Sequence, residues 1–292
     1  MSSIQLKSIR PHAQRAFRRL RLVLNRKRHS AVPIFVLGTQ RSGTKMLLRT
    51  LERSDQIWAH DHRPRDLSHL LRPDPAYRRE ESGSMARLVD RDALRSLIES
   101  SPTEVLAFHA IAESQNGDTL LHDFERGRII WVYRRYADVA NSALDSWGDH
   151  QKDLIKRVHE RNYAALNWRC ERVPEEVQQQ VGDLYDPAMA PFDASCLFWY
   201  MRNQFFFELG LDREKRVFLV QYEDFVTDPK GRFRMLFDWI GVPFDESLVD
   251  HIFSSSIGKR KVADPVASTA ALCDPLLARL DTAYEAQLDR LR

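Results

Sequence analysis

Apolar residues along this chain fall in short unbroken runs, separated by stretches in which they recur every three or four positions. PIFVL at 33–37 is the first such run and ends at Gly38. A run this short, with no polar alternation, predicts a strand buried on both faces and hence a parallel sheet covered by helices. The next stretch, SGTKMLLRTLERS, has helical spacing, with Met46, Leu47, Leu48 and Leu51 turned back toward that sheet. Strand, glycine loop and helix are therefore expected in immediate succession. EVLAF at 104–108 and RIIWVY at 128–133 predict further strands, with a helix in DTLLHDFERG between them, and RVFLV at 216–220 predicts another. PKGRFRMLFDWIG reads as a helix closed by Gly241. The chain from Val262 onward reads as a final helix.

This alternation of buried strands and amphipathic helices predicts a three-layer α/β domain around a central parallel sheet. Residues 60–102 are rich in Pro, Arg and Asp at first and periodic later, which predicts a loop followed by one or two surface helices. After ADVANSALDSWG, the region from about 150 to 210 predicts a largely helical insertion. Its stripe CLFWYMRNQFFFELGL reads as core, the alternative being a wall for an acceptor molecule.

The 292 residues are enough to bury one large core. A net charge of +3 with 29% charged residues does not describe a nucleic-acid binder. The charge is uneven, since no acidic residue precedes Glu52. Residues 1–30 form a basic segment that is either a solvated tail or a short helix with Phe17, Leu20, Val23 and Leu24 on one side, suited to anionic lipid or a partner. Residues 31–292 are expected to form a single α/β domain carrying the insertion. No leader-like or bilayer-spanning run is present, so the expected location is cytoplasmic, with peripheral membrane contact through the basic segment. Cys170, Cys196 and Cys273 are few and far apart, and are expected to be reduced structural thiols. Nothing in the sequence sets an oligomeric state.

Gly38 and Gly43 have the spacing of the phosphate-binding loop G-x-x-x-x-G-K-[ST], but Thr44 and Lys45 stand in reversed order. A loop between a buried strand and a helix start gathers N–H groups and the positive helix end around an anion. The alternative is a tight turn with glycines for steric reasons. An ATP enzyme would add a metal-binding carboxylate at a nearby strand end. Here RIIWVY runs into Arg134 and Arg135 instead, and Glu223 and Asp224 follow a polar interruption. Two arginines at a strand end point to a second anion, neutralised by side chains.

Three stretches together resemble one family. RSGTKML is similar to the 5′-phosphosulfate loop of sulfotransferases, and VYRRYADVANS resembles their 3′-phosphate motif, with Arg134 and Ser142 eight positions apart. VFLVQYEDFVTDPKGRFRMLFDWIGVP resembles the family's later V-x-Y-E-D-L stretch and the helix after it. The resemblance, in family order over most of the chain, is to sulfotransferases of the bacterial or carbohydrate type with a P-loop-like fold. It implies 3′-phosphoadenosine 5′-phosphosulfate (PAPS) as sulfuryl donor, adenosine 3′,5′-bisphosphate as product, no metal, and a hydroxyl-bearing acceptor such as a carbohydrate, glycolipid or small metabolite.

By the same resemblance Arg41 faces the 5′-phosphate and sulfuryl oxygens, with Ser42, Gly43 and Thr44 as loop contacts. Lys45 departs from the family's usual hydroxyl residue and either adds charge to the 5′ site or points to solvent. Arg134 and Ser142 hold the 3′-phosphate, Tyr222 lies near the adenosine or is structural, and Lys259 and Arg260 resemble a basic segment that closes on the 3′-phosphate or are solvated. His109, ending EVLAF, is the first candidate for the base that deprotonates the acceptor. Asp61 and His62 in AHDHRP are the rival, because tyrosylprotein and some carbohydrate sulfotransferases carry an acidic base about that far beyond the loop. The H-x-H spacing there lacks an evident third ligand, so no metal site is expected. Other readings are an ATP-dependent small-molecule kinase with an atypical loop and a nucleotide-binding regulatory module.

Overall fold

The computed structural model describes residues 30–61, 77–79, 86–253 and 264–291. Its strands are β1 (Val32–Gly38), β2 (Ile57–His60), β3 (Tyr77–Arg79), β4 (Ala86–Leu88), β5 (Val105–His109), β6 (Arg128–Tyr133) and β7 (Val217–Gln221). The helices are α1 (Thr44–Leu51), α2 (Arg91–Glu99), α3 (Gly117–Asp123), α4 (Tyr136–Trp147), α5 (His150–His159), α6 (Glu175–Asp183), α7 (Pro191–Asn203), α8 (Phe205–Glu208), α9 (Tyr222–Thr227), α10 (Pro229–Ile240) and α11 (Ala267–Leu291).

Five strands make a parallel sheet in the order β2-β5-β1-β6-β7. The unbroken apolar run of β1 has its physical reason here: Ile34, Phe35, Val36 and Leu37 are wholly buried in the middle of the sheet. Register aligns Val36 with His109, Gly38 with Val132 and Tyr133 with Gln221. The segments leaving β1, β5, β6 and β7 therefore emerge at one edge, the carboxyl edge at which α/β sheets build sites. At the far side β7 is covered by α11, where the Gln287 amide meets both the N–H and the carbonyl of Leu219, at 2.7 and 2.9 Å.

Local chemistry sets the helix ends. Asp90 caps α2 by accepting the Ala93 N–H at 3.0 Å, and Asp228 caps α10 through the Gly231 N–H at 3.0 Å with Pro229 in the first turn. Gly241 ends α10 in the left-handed region, as its sequence position predicts. The aromatic α7 is buried on all sides from Phe192 to Asn203, so the core reading of that stripe holds. Arg202 in α7 is 1% exposed and lies between the Trp168 and Phe205 rings, each 5.0 Å away. Its guanidinium donates to the carbonyls of Ile111 and Trp168 and to Gln115 Oε1, while burial pushes its pKa down to about 9. This anchors the helical region to the segment that follows His109.

One expectation needs correction. Residues 60–102 are not loop and helix alone: β2 precedes them as a sheet edge, and β3 and β4 pair antiparallel before α2. The stretch from 150 to 210 is largely helical, as expected, and includes single 3-10 turns at Tyr163–Ala165 and Asn167–Arg169. The three cysteines are free and buried, and burial pushes the Cys170 thiol up to about 12 and raises Cys196 and Cys273 as well. Among the described residues, no helix is long and apolar enough to cross a membrane. The basic segment 1–29 with Phe17, Leu20, Val23 and Leu24, and the candidate residues His62, Lys259 and Arg260, lie outside the described residues.

Candidate functional site

The loop between β1 and α1 is built to bring backbone close to whatever it holds. Arg41 adopts φ 70°, an unusual conformation for a side-chain-bearing residue, and Gly43 adopts φ 97° as the residue before α1. A Cβ on Gly43 would sit 2.2 Å from Cδ2 of Tyr222, so only glycine fits against that ring. The loop is pinned from two sides. Ser114 Oγ accepts the Gly38 N–H at 3.0 Å, and the Asn203 amide of α7 donates to Thr39 Oγ1 at 2.9 Å.

A cavity of about 240 Å³ opens over this loop. Gln40, Arg41, Gly43, Thr44 and Lys45 line its floor. His109, Ile111, Arg134, Ser142 and Trp147 line the rest. Arg41 Nε donates to Ser142 Oγ at 2.9 Å, across 101 residues of chain, and the guanidinium lies 5.6 Å from the Trp147 ring centre. Arg134 lies 4.5 Å over the Tyr222 ring, with Glu223 Oε1 at 3.8 Å and Asp138 Oδ1 at 3.9 Å. Glu223 also accepts the Arg135 N–H at 3.2 Å, and burial raises its carboxyl pKa.

The two rival base candidates are neighbours. Asp61 Oδ1 lies 3.3 Å from His109 Nδ1, and His109 Nε2 lies 2.8 Å from Thr44 Oγ1. Lys45 Nζ lies 3.5 Å from Asp61 Oδ2. Thr44 and Lys45, adjacent at the start of α1, thus hold the two ends of one Asp–His pair. The His109 side chain is 1% exposed and that of Asp61 is 28% exposed.

Most sequence-predicted site residues therefore converge: Arg41, Gly43, Thr44, Lys45, His109, Arg134 and Ser142 line one cavity, and Asp61 and Tyr222 support it from behind. Ser42 does not line it. Its side chain is fully buried, with the hydroxyl lacking a hydrogen-bond partner. The Lys45 side chain is 35% exposed, with its ammonium turned toward Asp61. Trp147, Gln40 and Ile111 escaped the sequence reading. Trp147 ends the helix that carries Ser142, five positions on, and an aromatic at a helix end carries no periodic signal of its own. Among the described residues, no group of three or more His, Cys, Asp and Glu could hold a metal ion.

The model of the sulfotransferase family matches residues 33–246, which is well over half of the chain. The chain belongs to the sulfotransferase family. That span takes in the loop, the Arg134–Ser142 segment and the Tyr222 segment. No curated protein matches the sequence. Among solved structures it is similar to a sulfotransferase from Alicyclobacillus acidocaldarius, at 15% identity over 86% of this chain and 95% of that one, with a TM-score of 0.46. The sulfotransferase domain of the Synechococcus PCC 7002 olefin synthase matches at 16% identity over 90% of this chain and 98% of that one, TM-score 0.40. Mouse sulfotransferase SULT7A1 complexed with PAP matches at 14% identity over 85% of this chain and 76% of that one, TM-score 0.39. At such identities and scores the family assignment is carried by the family model.

Proposed function

We propose that this sulfotransferase moves a sulfuryl group from PAPS to a hydroxyl of a carbohydrate, glycolipid or small-metabolite acceptor. The observation that carries the reading is the Arg41–Ser142 contact, which joins the loop and the Arg134–Ser142 segment in one cavity. The residues fit such a nucleotide. Arg41 and the start of α1 supply positive charge at the 5′ end, while Arg134 and Ser142 supply a cation and a hydroxyl for the 3′-phosphate. Gly43 lines the cavity without a side chain of its own, so its backbone can approach the nucleotide's phosphate closely. When bound, PAPS supplies an activated sulfuryl group whose bridging oxygen takes up negative charge as the acceptor oxygen attacks. Arg41 neutralises that charge.

Asp61 is the more exposed member of the Asp–His pair, and in this reading it accepts the acceptor's proton. His109, held between Asp61 and the Thr44 hydroxyl, positions it. The family match sets aside an ATP-dependent kinase. We also propose that residues 31–292 act as one unit in the cytoplasm, and that residues 1–30 attach it to anionic membrane, which sedimentation with anionic and neutral liposomes tests. The function is tested by incubating the protein with sulfur-labelled PAPS and fractionated extract of its own cell. Label transferred to an acceptor, identified by mass spectrometry, supports the reading. Label that remains on the nucleotide with every fraction overturns it.

A further inference from the structure

A carboxylate base and an anionic donor are poor neighbours. Asp61 sits just behind the cavity that is to hold a phosphosulfate, against its lining residues Lys45 and His109, and negative charges that close repel strongly where water is partly excluded. The structure has a device for this. Lys45 lines the cavity floor and its ammonium lies 3.5 Å from Asp61 Oδ2, on the carboxylate oxygen opposite the one that faces His109.

The position of this lysine is informative in itself. It is the second residue of α1, whose first turn contains no acidic residue, and a cation there opposes the positive end of the helix dipole. A lysine in that turn is favoured by negative charge nearby, and the geometry provides it in the Asp61 carboxylate. We infer that Lys45 is the counter-charge that lets an anionic donor in the cavity and a carboxylate base behind it lie side by side, so that it acts on donor binding through Asp61. This rests on the donor reading above. Lys45 is thereby a positioning residue, distinct in role from Arg41, which meets the donor directly.

The test is a double-mutant cycle on binding, read without turnover. Adenosine 3′,5′-bisphosphate is titrated calorimetrically into the wild type, Lys45→Met, Asp61→Asn and the double variant. Lys45→Met is expected to weaken binding by about 10-fold or more in the wild-type background but by less than about 3-fold once Asp61 is neutral, a coupling typical of groups in contact. Lys45→Arg, which keeps the charge, should bind within about 3-fold of wild type. Thermal melts establish that each variant is folded, and Lys45→Gln serves if the methionine variant is not. Equal losses in both backgrounds would make Lys45 an ordinary donor contact and overturn the inference, as would no loss in either. A wild type that fails to bind the bisphosphate is a separate result and overturns the donor reading itself.

Discussion

Replacing Gly43 by alanine tests whether the loop is shaped around Tyr222, and its cost can be worked from the geometry. Two terms add. The residue sits at φ 97°, where an L side chain costs about 1–2 kcal/mol. The new Cβ would also stand 2.2 Å from Tyr222 Cδ2 and 2.6 Å from Cε2. Ordinary carbon contacts begin near 3.5 Å, so the ring must retreat by roughly 1 Å. Tyr222 is 8% exposed and carries Arg134 on its face, so that retreat also displaces the guanidinium proposed for the 3′-phosphate. Overpacking of this kind costs about 1–3 kcal/mol. The sum, about 2–5 kcal/mol, lowers Tm by about 4–15 °C for a chain of this size. Gly241→Ala is the matched control: φ is 82° and nothing lies within 4 Å of its Cβ, so only the backbone term applies. Scanning fluorimetry should show Gly43→Ala clearly less stable than Gly241→Ala. Calorimetry should show bisphosphate binding weakened about 10-fold in the first alone, as expected for a displaced charge-assisted contact. Equal Tm losses with unchanged affinity in both variants would refute the coupling of loop, ring and Arg134.

Further outcomes follow from single groups. Burial raises the Glu223 pKa above its ordinary 4.5, so its ionised form is a penalty in the folded state that is absent while both states are protonated and complete above the folded pKa. Glu223→Gln should therefore raise Tm at pH 7, with the gain vanishing below about pH 4, where the unfolded carboxyl is protonated too; an undiminished gain at low pH would disprove the cause. Arg202→Met should cost about 3–5 kcal/mol in urea unfolding, because it orphans buried acceptors on Ile111, Trp168 and Gln115. Asp61→Asn should lower kcat by about 10²–10⁴-fold without weakening bisphosphate binding. An active Asp61→Asn beside an inactive, folded His109→Ala would move the base to His109.

The sheet was largely legible because its strands are continuous apolar runs, and PIFVL and RIIWVY could scarcely be anything else once flanked by a glycine loop and two arginines. β2 and the β3–β4 pair were not legible. Strands of three or four residues are too short to show a period, and their stability comes from neighbours remote in sequence. The site divides in the same way. Arg41, Arg134 and Ser142 were singled out because their local motifs resemble those of sulfotransferases, and the structure brings all three to one cavity. The pairing of Asp61 with His109 was not legible, since it arises from β2 lying beside β5, with His60 aligned to Phe108, so that the next residue of each strand meets the other. Asp61 and His109 therefore read as rivals in sequence and form a pair in space. Lys45 is similar, because its partner Asp61 comes from the end of another strand.

The most direct measurement for the account is a set of calorimetric titrations with adenosine 3′,5′-bisphosphate, AMP, and ATP with magnesium. The central claim is that Arg41, Ser142 and Arg134 form one cavity for a nucleotide phosphorylated at both ends. It predicts that the bisphosphate binds at least ~10-fold more tightly than AMP, the worth of one charge-assisted phosphate contact, and that Arg134→Ala removes most of that difference. AMP binding as well as the bisphosphate, or ATP with magnesium binding better than either, would contradict it.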